Sequence, residues 1–192
     1  MVSQVYNPLA NMQITSAFGP RKAFATSQGT ANPNHSGVDL RADTGTKVYS
    51  PVSGTVTKVV NGTTGFGKYV DVKTEEGYTL RFAHLSGAKV AVGQKVSAGQ
   101  VLALSGASGN VTGAHLHFGV YDTAMKAIDP LAWLEAAKEA AGKKTVNVNG
   151  LSFSQPIKTA TGYQINIDTV AGMGQVAAAV LVIGAGLAML AD

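Results

Sequence analysis

Between residues 14 and 128, short runs of Val, Thr, Tyr and Leu are punctuated by Gly, Asn and Ser about every ten residues. These strand formers bounded by turn residues predict strands at Lys47 to Tyr49, Gly54 to Val60, Tyr69 to Lys73, Tyr78 to Ala83, Gln100 to Leu104 and His115 to Tyr121. Asn61-Gly62 and Glu76-Gly77 supply turns. Upstream, Ile14 to Arg21 reads as a short strand that stops at Gly19-Pro20, and a polar loop from Thr26 to Ser36 leads to the next ordered stretch. Parallel strands need helical crossovers, and no helical period separates these runs. The fold class is therefore mainly β, with a compact, mostly antiparallel sheet.

The helical period enters at Leu131 to Ala141, where Asp129 can cap, Pro130 fits the first turn and Gly142 ends the helix. Its apolar members, Leu131, Leu134 and Ala137 or Lys138, are expected to lean on the sheet. From Lys143 to Asp168 the chain is rich in Asn, Thr and Ser, and Val146, Val148, Leu151 and Phe153 alternate around Asn149-Gly150. This reads as a polar linker holding a small hairpin.

Thr169 to Ala191 carries no charge. A helix of about 20 residues at 1.5 Å each crosses a ~30 Å hydrocarbon core, so the run predicts one transmembrane α-helix. A buried core helix is the alternative, but a domain already complete before residue 169 would have to wrap it on all sides. Gly174 with Ala178, and Gly184 with Ala188, form small-xxx-small pairs suited to helix-mediated self-association. The expected organisation is a β domain over 1–142, a linker over 143–168 and a membrane helix over 169–191. All fifteen Lys and Arg precede Thr169, which keeps the N-terminal domain on the cytoplasmic side of a single-pass anchor. Residues 1–10 have no basic start and are interrupted at Asn7-Pro8, so no secretory signal is visible there.

At 192 residues the chain has room for one domain with a real core. It has no cysteine, so any metal must sit on nitrogen and oxygen ligands. The net charge of +4 would favour anionic polymers, but basic residues are dispersed and no run exceeds two, as at Lys143-Lys144. With no nucleic-acid motif beside them, a nucleic-acid partner is not expected. Gly62 to Lys68 is glycine-rich but lacks the Ser or Thr after Gly-Lys and the following helix of a phosphate loop, and reads as a turn.

All four histidines fall in three short motifs: His35-Ser-Gly-Val-Asp39, Ala83-His84-Leu85 and His115-Leu-His117. Imidazole is the commonest zinc ligand, and a hydrolytic zinc site takes three His or carboxylate ligands and leaves a position for water. In a strand, His115 and His117 project from the same face, with Leu116 on the other. Either could be the ligand on spacing alone. His35 and Asp39 add a nitrogen and an oxygen donor where loop gives way to strand. Taken alone, His84 at a strand end would usually be a core histidine bonded to backbone.

The three motifs and their frame resemble the lysostaphin-type, or LytM-type, zinc endopeptidases, which cut peptide bonds in bacterial peptidoglycan. The matching stretches include Thr15-Ser-Ala-Phe-Gly-Pro-Arg21, His35 to Leu40, Gly45 to Tyr49, Tyr78 to Leu85, Val92 to Val96, Thr112 to Phe118 and Asp129-Pro130. By that resemblance His35, Asp39 and His117 bind one Zn2+ per chain, while His84 and His115 are catalytic without being ligands. In the family, loops such as Gly62 to Lys68 wall the substrate groove, so Phe66 and Tyr69 are expected either to line it or simply to pack in the fold. The chain departs from the family at Ala114, where proline is frequent, and at Gly119, where an acid often follows the Phe.

The implied function is zinc-dependent hydrolysis of peptidoglycan cross-link peptides by a membrane-anchored enzyme. Because peptidoglycan lies across the membrane from the cytoplasmic side, the expected setting is a phage lysis or virion-associated enzyme, carried in a virion's internal membrane. The alternatives are a catalytically silent peptidoglycan-binding or regulatory module, against which the retention of all five polar positions argues, and a membrane structural protein.

Overall fold

The computed structural model describes residues 4–142 and the short strands Val146–Val148, Leu151–Phe153, Leu181–Ile183 and Gly186–Ala188. The chain divides into two units, Met1–Gly142 and Lys143–Asp192.

The first unit is built on an eight-stranded antiparallel sheet. From edge to edge it runs Ile14–Ser16, Val38–Arg41, His115–Tyr121, Thr79–Ala83, Lys68–Thr74, Gly54–Asn61 and Lys95–Val96, with Ala127–Ile128 also paired to His115–Tyr121. A second sheet of Leu85–Ala88, Val101–Ser105 and Lys47–Tyr49 stands beside it. Val38, Leu40, Val70, Val72, Leu80, Phe82, Leu116, Phe118 and Val120 are fully buried and form the core. Phe82 stacks on Phe118 with ring centroids 5.3 Å apart.

The helix spans Pro130–Gly142. Asp129 caps it by accepting the Leu131 N–H at 2.9 Å, satisfying a donor that the first turn leaves free. Leu134 is buried, Leu131 and Trp133 pack against the core, and Trp133 meets Tyr78 edge-on at 5.9 Å.

The stretch read as loop holds more order than expected. Ala25–Thr26 pairs with Gly29–Thr30, and Asn34–His35 pairs with Gly19–Pro20. The hairpin tip is held by contacts remote in sequence: Gln28 donates from its backbone to Asn110 Oδ1 at 3.0 Å and from its side chain to Thr63 O at 2.6 Å.

In the second unit, Val146–Val148 pairs with Leu151–Phe153. The expected membrane helix over 169–191 falls largely outside the described residues. Within it, Leu181–Ile183 and Gly186–Ala188 are antiparallel strands, which corrects the helical reading at those positions. The β-branched Val182 and Ile183 suit a pleated strand, and an apolar run of this kind does not by itself distinguish helix from strand. Among the described residues, no helix is long and apolar enough to cross a membrane.

Candidate metal centre and active site

Three neighbouring strands carry the site. Val38–Arg41 pairs with His115–Tyr121 so that Asp39 stands opposite His117, and Thr79–Ala83 on the other side sets Ala83 opposite His117. Period-two alternation sends Leu40, Leu116 and Phe118 into the core and Asp39, His115 and His117 to the other face. His35 arrives from the short strand before Val38–Arg41, and His84 from the corner where Thr79–Ala83 ends. That corner holds His84 at φ 60°, a region that non-glycine residues seldom occupy and that recurs at functional sites.

Buried His35, Asp39 and His117 form a tight triangle of ligand atoms. His35 Nε2 is 3.0 Å from Asp39 Oδ1, Asp39 Oδ1 is 2.9 Å from His117 Nδ1, and His117 Nδ1 is 3.0 Å from His35 Nε2. His35 donates from Nδ1 to Ala17 O at 2.8 Å, which leaves the Nε2 lone pair pointing at the carboxylate. Two lone-pair donors so close need a positive charge between them. His117 Nε2 is buried with no hydrogen-bond partner, so the polar function of this ring lies at Nδ1. A tetrahedral zinc with bonds of about 2.0 to 2.1 Å spaces its ligand atoms about 3.3 Å apart, within a few tenths of the observed edges. The donor set fits a metal ion.

The outer partners fix each donor. Arg21 donates from Nη1 to Asp39 Oδ2 at 3.3 Å and to Ser16 Oγ at 2.8 Å, leaving Oδ1 for the centre. Burial works against the charge on Asp39, but hydrogen bonding and electrostatic interaction with His117 and then His35 outweigh it and hold the carboxyl well below its usual range. Gly37 makes room for the His117 ring. A Cβ there would stand 2.7 Å from His117 Nε2 and Cε1 and 2.5 Å from Phe118 O.

His84 and His115 complete the cluster, with ring centroids 4.8 Å apart. Each donates from Nδ1 to a backbone carbonyl, His84 to Ser108 O at 2.8 Å and His115 to Gly113 O at 2.9 Å, so both keep Nε2 free. His115 Nε2 stands 3.6 Å from Asp39 Oδ1. Burial, with His115 adding to it, pushes the His84 imidazole down to about 4, and burial pushes His117 in the same direction.

The five side chains singled out in the sequence line one open cleft of ≈ 540 Å³. Phe66 lines it too, 5.2 Å from the His117 ring centroid, and accepts the His84 N–H on its carbonyl at 3.0 Å. Tyr69 packs behind Phe66 and is not part of the cleft wall. Arg81 lies against the Phe66, Tyr69 and Tyr121 rings and pairs bidentately with buried Asp71, both contacts at 2.8 Å. Opposite Gly119 in register, Arg81 thus gets its counter-charge from the neighbouring strand. Arg21 and Gly37 lay inside matching stretches of sequence, but their contacts cross the fold and carried no local signal.

Residues 33–130 match the description of Peptidase family M23. The chain belongs to peptidase family M23. The peptidoglycan DD-endopeptidase ShyA of Vibrio cholerae is 38% identical over 143 residues, covering 72% of this chain and 33% of the relative. Among solved structures, the catalytic domain of the antimicrobial peptidase lysostaphin from Staphylococcus simulans aligns with a TM-score of 0.58 at 28% identity. It covers 65% of this chain and 93% of that one. A zinc containing peptidase from Vibrio cholerae aligns with a TM-score of 0.57 at 33% identity, covering 66% and 39%. The chain spans 24% to 33% of the length of the first three curated relatives it matches. The matched region of the M23 family holds all five cleft residues.

Proposed function

We propose that this chain is a zinc-dependent endopeptidase that hydrolyses peptide bonds in bacterial peptidoglycan cross-links, with one zinc held by His35, Asp39 and His117. The observation that carries the reading is the triangle of His35 Nε2, Asp39 Oδ1 and His117 Nδ1 beside two more imidazoles with free Nε2 atoms. The relatives' names support the substrate: one is a peptidoglycan DD-endopeptidase.

When bound, zinc polarises the scissile carbonyl and brings the pKa of its water to about 7. The protein's own groups do the rest. Pushed down to about 4, His84 is neutral at pH 7 and can take a proton at Nε2 and pass it to the leaving amine. His115, partly open to the cleft, can hydrogen-bond the developing oxyanion through Nε2 when that nitrogen carries a proton as well as Nδ1. Phe66 shields the ligand ring from water. Among the described residues lining the cleft, Asp39 is the only acid, and glycan cleavage typically needs a carboxylate pair.

Peptidoglycan treated with the purified chain should therefore gain amino groups without gaining reducing ends, and a chelator should stop the release until zinc is restored. Reducing ends appearing in step with digestion would assign the wrong bond class.

The proposal extends to membrane attachment through the uncharged run 169–191, with the peptidase domain starting on the cytoplasmic side and reaching the wall from a membrane-bearing phage virion. It rests on sequence alone. Carbonate-washed membranes should retain the full chain and release one ending at Asp168; a full chain found in the supernatant refutes the anchor.

A further inference from the structure

We infer that Arg41 binds a free carboxylate of the peptide near the bond being cut. The inference rests on the endopeptidase reading and names a determinant of its substrate choice.

The register places Arg41 there. Asp39 faces His117 across the strand pair, and the next pair on the same face is Arg41 with His115. Two residues along a strand are about 6.5 to 7 Å, so the guanidinium stem starts roughly that far from the metal ligands. Leu40 and Leu116, fully buried between these pairs, fix the ladder from beneath. Arg41 lines the cleft and is exposed.

Its freedom is the second observation. The chain has three arginines. Arg21 is committed to Asp39, Ser16 and Asn32, and Arg81 to Asp71 and three rings. Among the described residues, the Arg41 side chain has no hydrogen bond, ion pair or aromatic partner. The cleft offers it no acid except Asp39, which is already engaged by Arg21 and the imidazoles.

An unpaired guanidinium beside a metal centre is therefore open to an anion from outside. Its planar fork matches a carboxylate through two parallel N–H···O bonds. A cross-link peptide with a free carboxylate beside the scissile amide can bring one to it, and an amidated or all-glycine cross-link cannot. The carboxylate remains unchanged in the reaction; it binds and orients.

The test uses two cross-linked peptides of one sequence, with the carboxylate next to the scissile amide either free or amidated, and the full chain as wild type, Arg41→Ala, Arg41→Lys and Arg41→Glu. The wild type should cleave the free peptide about tenfold more efficiently in kcat/KM, the scale of a charge-assisted hydrogen bond at a partly exposed site. Arg41→Ala should lose that preference, its kcat/KM falling far more on the free peptide than on the amidated one; Arg41→Lys should retain part of it and Arg41→Glu should invert it. Equal wild-type cleavage of both peptides leaves the endopeptidase reading standing and overturns the role of Arg41. So does an equal loss on both peptides in Arg41→Ala, the mark of a structural role. Cleavage of neither by the zinc-loaded wild type overturns the endopeptidase reading itself.

Discussion

His117 is turned so that its Nδ1 stands 2.9 Å from Asp39 Oδ1 while its Nε2 is buried without a hydrogen-bond partner. His35, His84 and His115 all do the reverse, spending Nδ1 on a backbone carbonyl and presenting Nε2. The exceptional ring is the one packed against Gly37.

That packing makes Gly37 a positioning residue. In Gly37→Ala the new methyl meets backbone at Phe118 O as well as the His117 ring, so the ring must give way. Zinc affinity should fall about 10- to 100-fold, as for other groups that orient a metal ligand. Competition with a chelator of known affinity reads this out, and unchanged affinity would show that the His117 orientation does not depend on the missing side chain.

Arg21 acts on the same centre through the carboxylate. Removing the Nη1 contact to Asp39 Oδ2 in Arg21→Ala frees the carboxyl to rotate, and zinc affinity should drop about tenfold, with Arg21→Lys intermediate. The same competition assay measures it. Equal affinity in wild type and Arg21→Ala would reduce Arg21 to a surface ion pair.

The strands carrying these residues were legible from strand formers set between turn residues, and the period of two separates Leu116 and Phe118 on the core face from His115 and His117 on the site face. The pairing of Ala25–Thr26 with Gly29–Thr30 was not legible. Its residues show no apolar alternation, and its tip is secured by Asn110 and Thr63, far along the chain. All five site residues stood out because the chain spends its histidines nowhere else, but the orientation of His117 depends on Gly37 and Asp39 in three dimensions, and spacing cannot give it. The uncharged apolar run 169–191 satisfies the length rule for a membrane helix, and the six of its residues that are described, Leu181–Ile183 and Gly186–Ala188, are strand.

Acid should destabilise the metal-free protein in a defined window. The unfolded chain takes a proton on His84 below about pH 6.5, whereas the folded chain keeps it neutral until about 4, so between these values the unfolded state binds more protons. His84 therefore contributes stability that is present above pH 6.5 and lost as pH falls toward 4, on the order of 3 kcal/mol. His117 is shifted in the same direction and adds to the loss. Urea midpoints in chelator should fall over this range, less steeply for His84→Gln. A midpoint that is flat or rises on acidification contradicts the burial argument.

The central claim divides the five cleft residues into three that hold the metal and two that do not, and zinc stoichiometry in single-alanine variants tests it most directly. Wild type, His84→Ala and His115→Ala should each purify with about one zinc per chain, the last two without turnover, whereas His35→Ala, Asp39→Ala and His117→Ala should lose both zinc and activity. Stoichiometric zinc in His117→Ala, or its loss from His84→Ala or His115→Ala, would contradict the account.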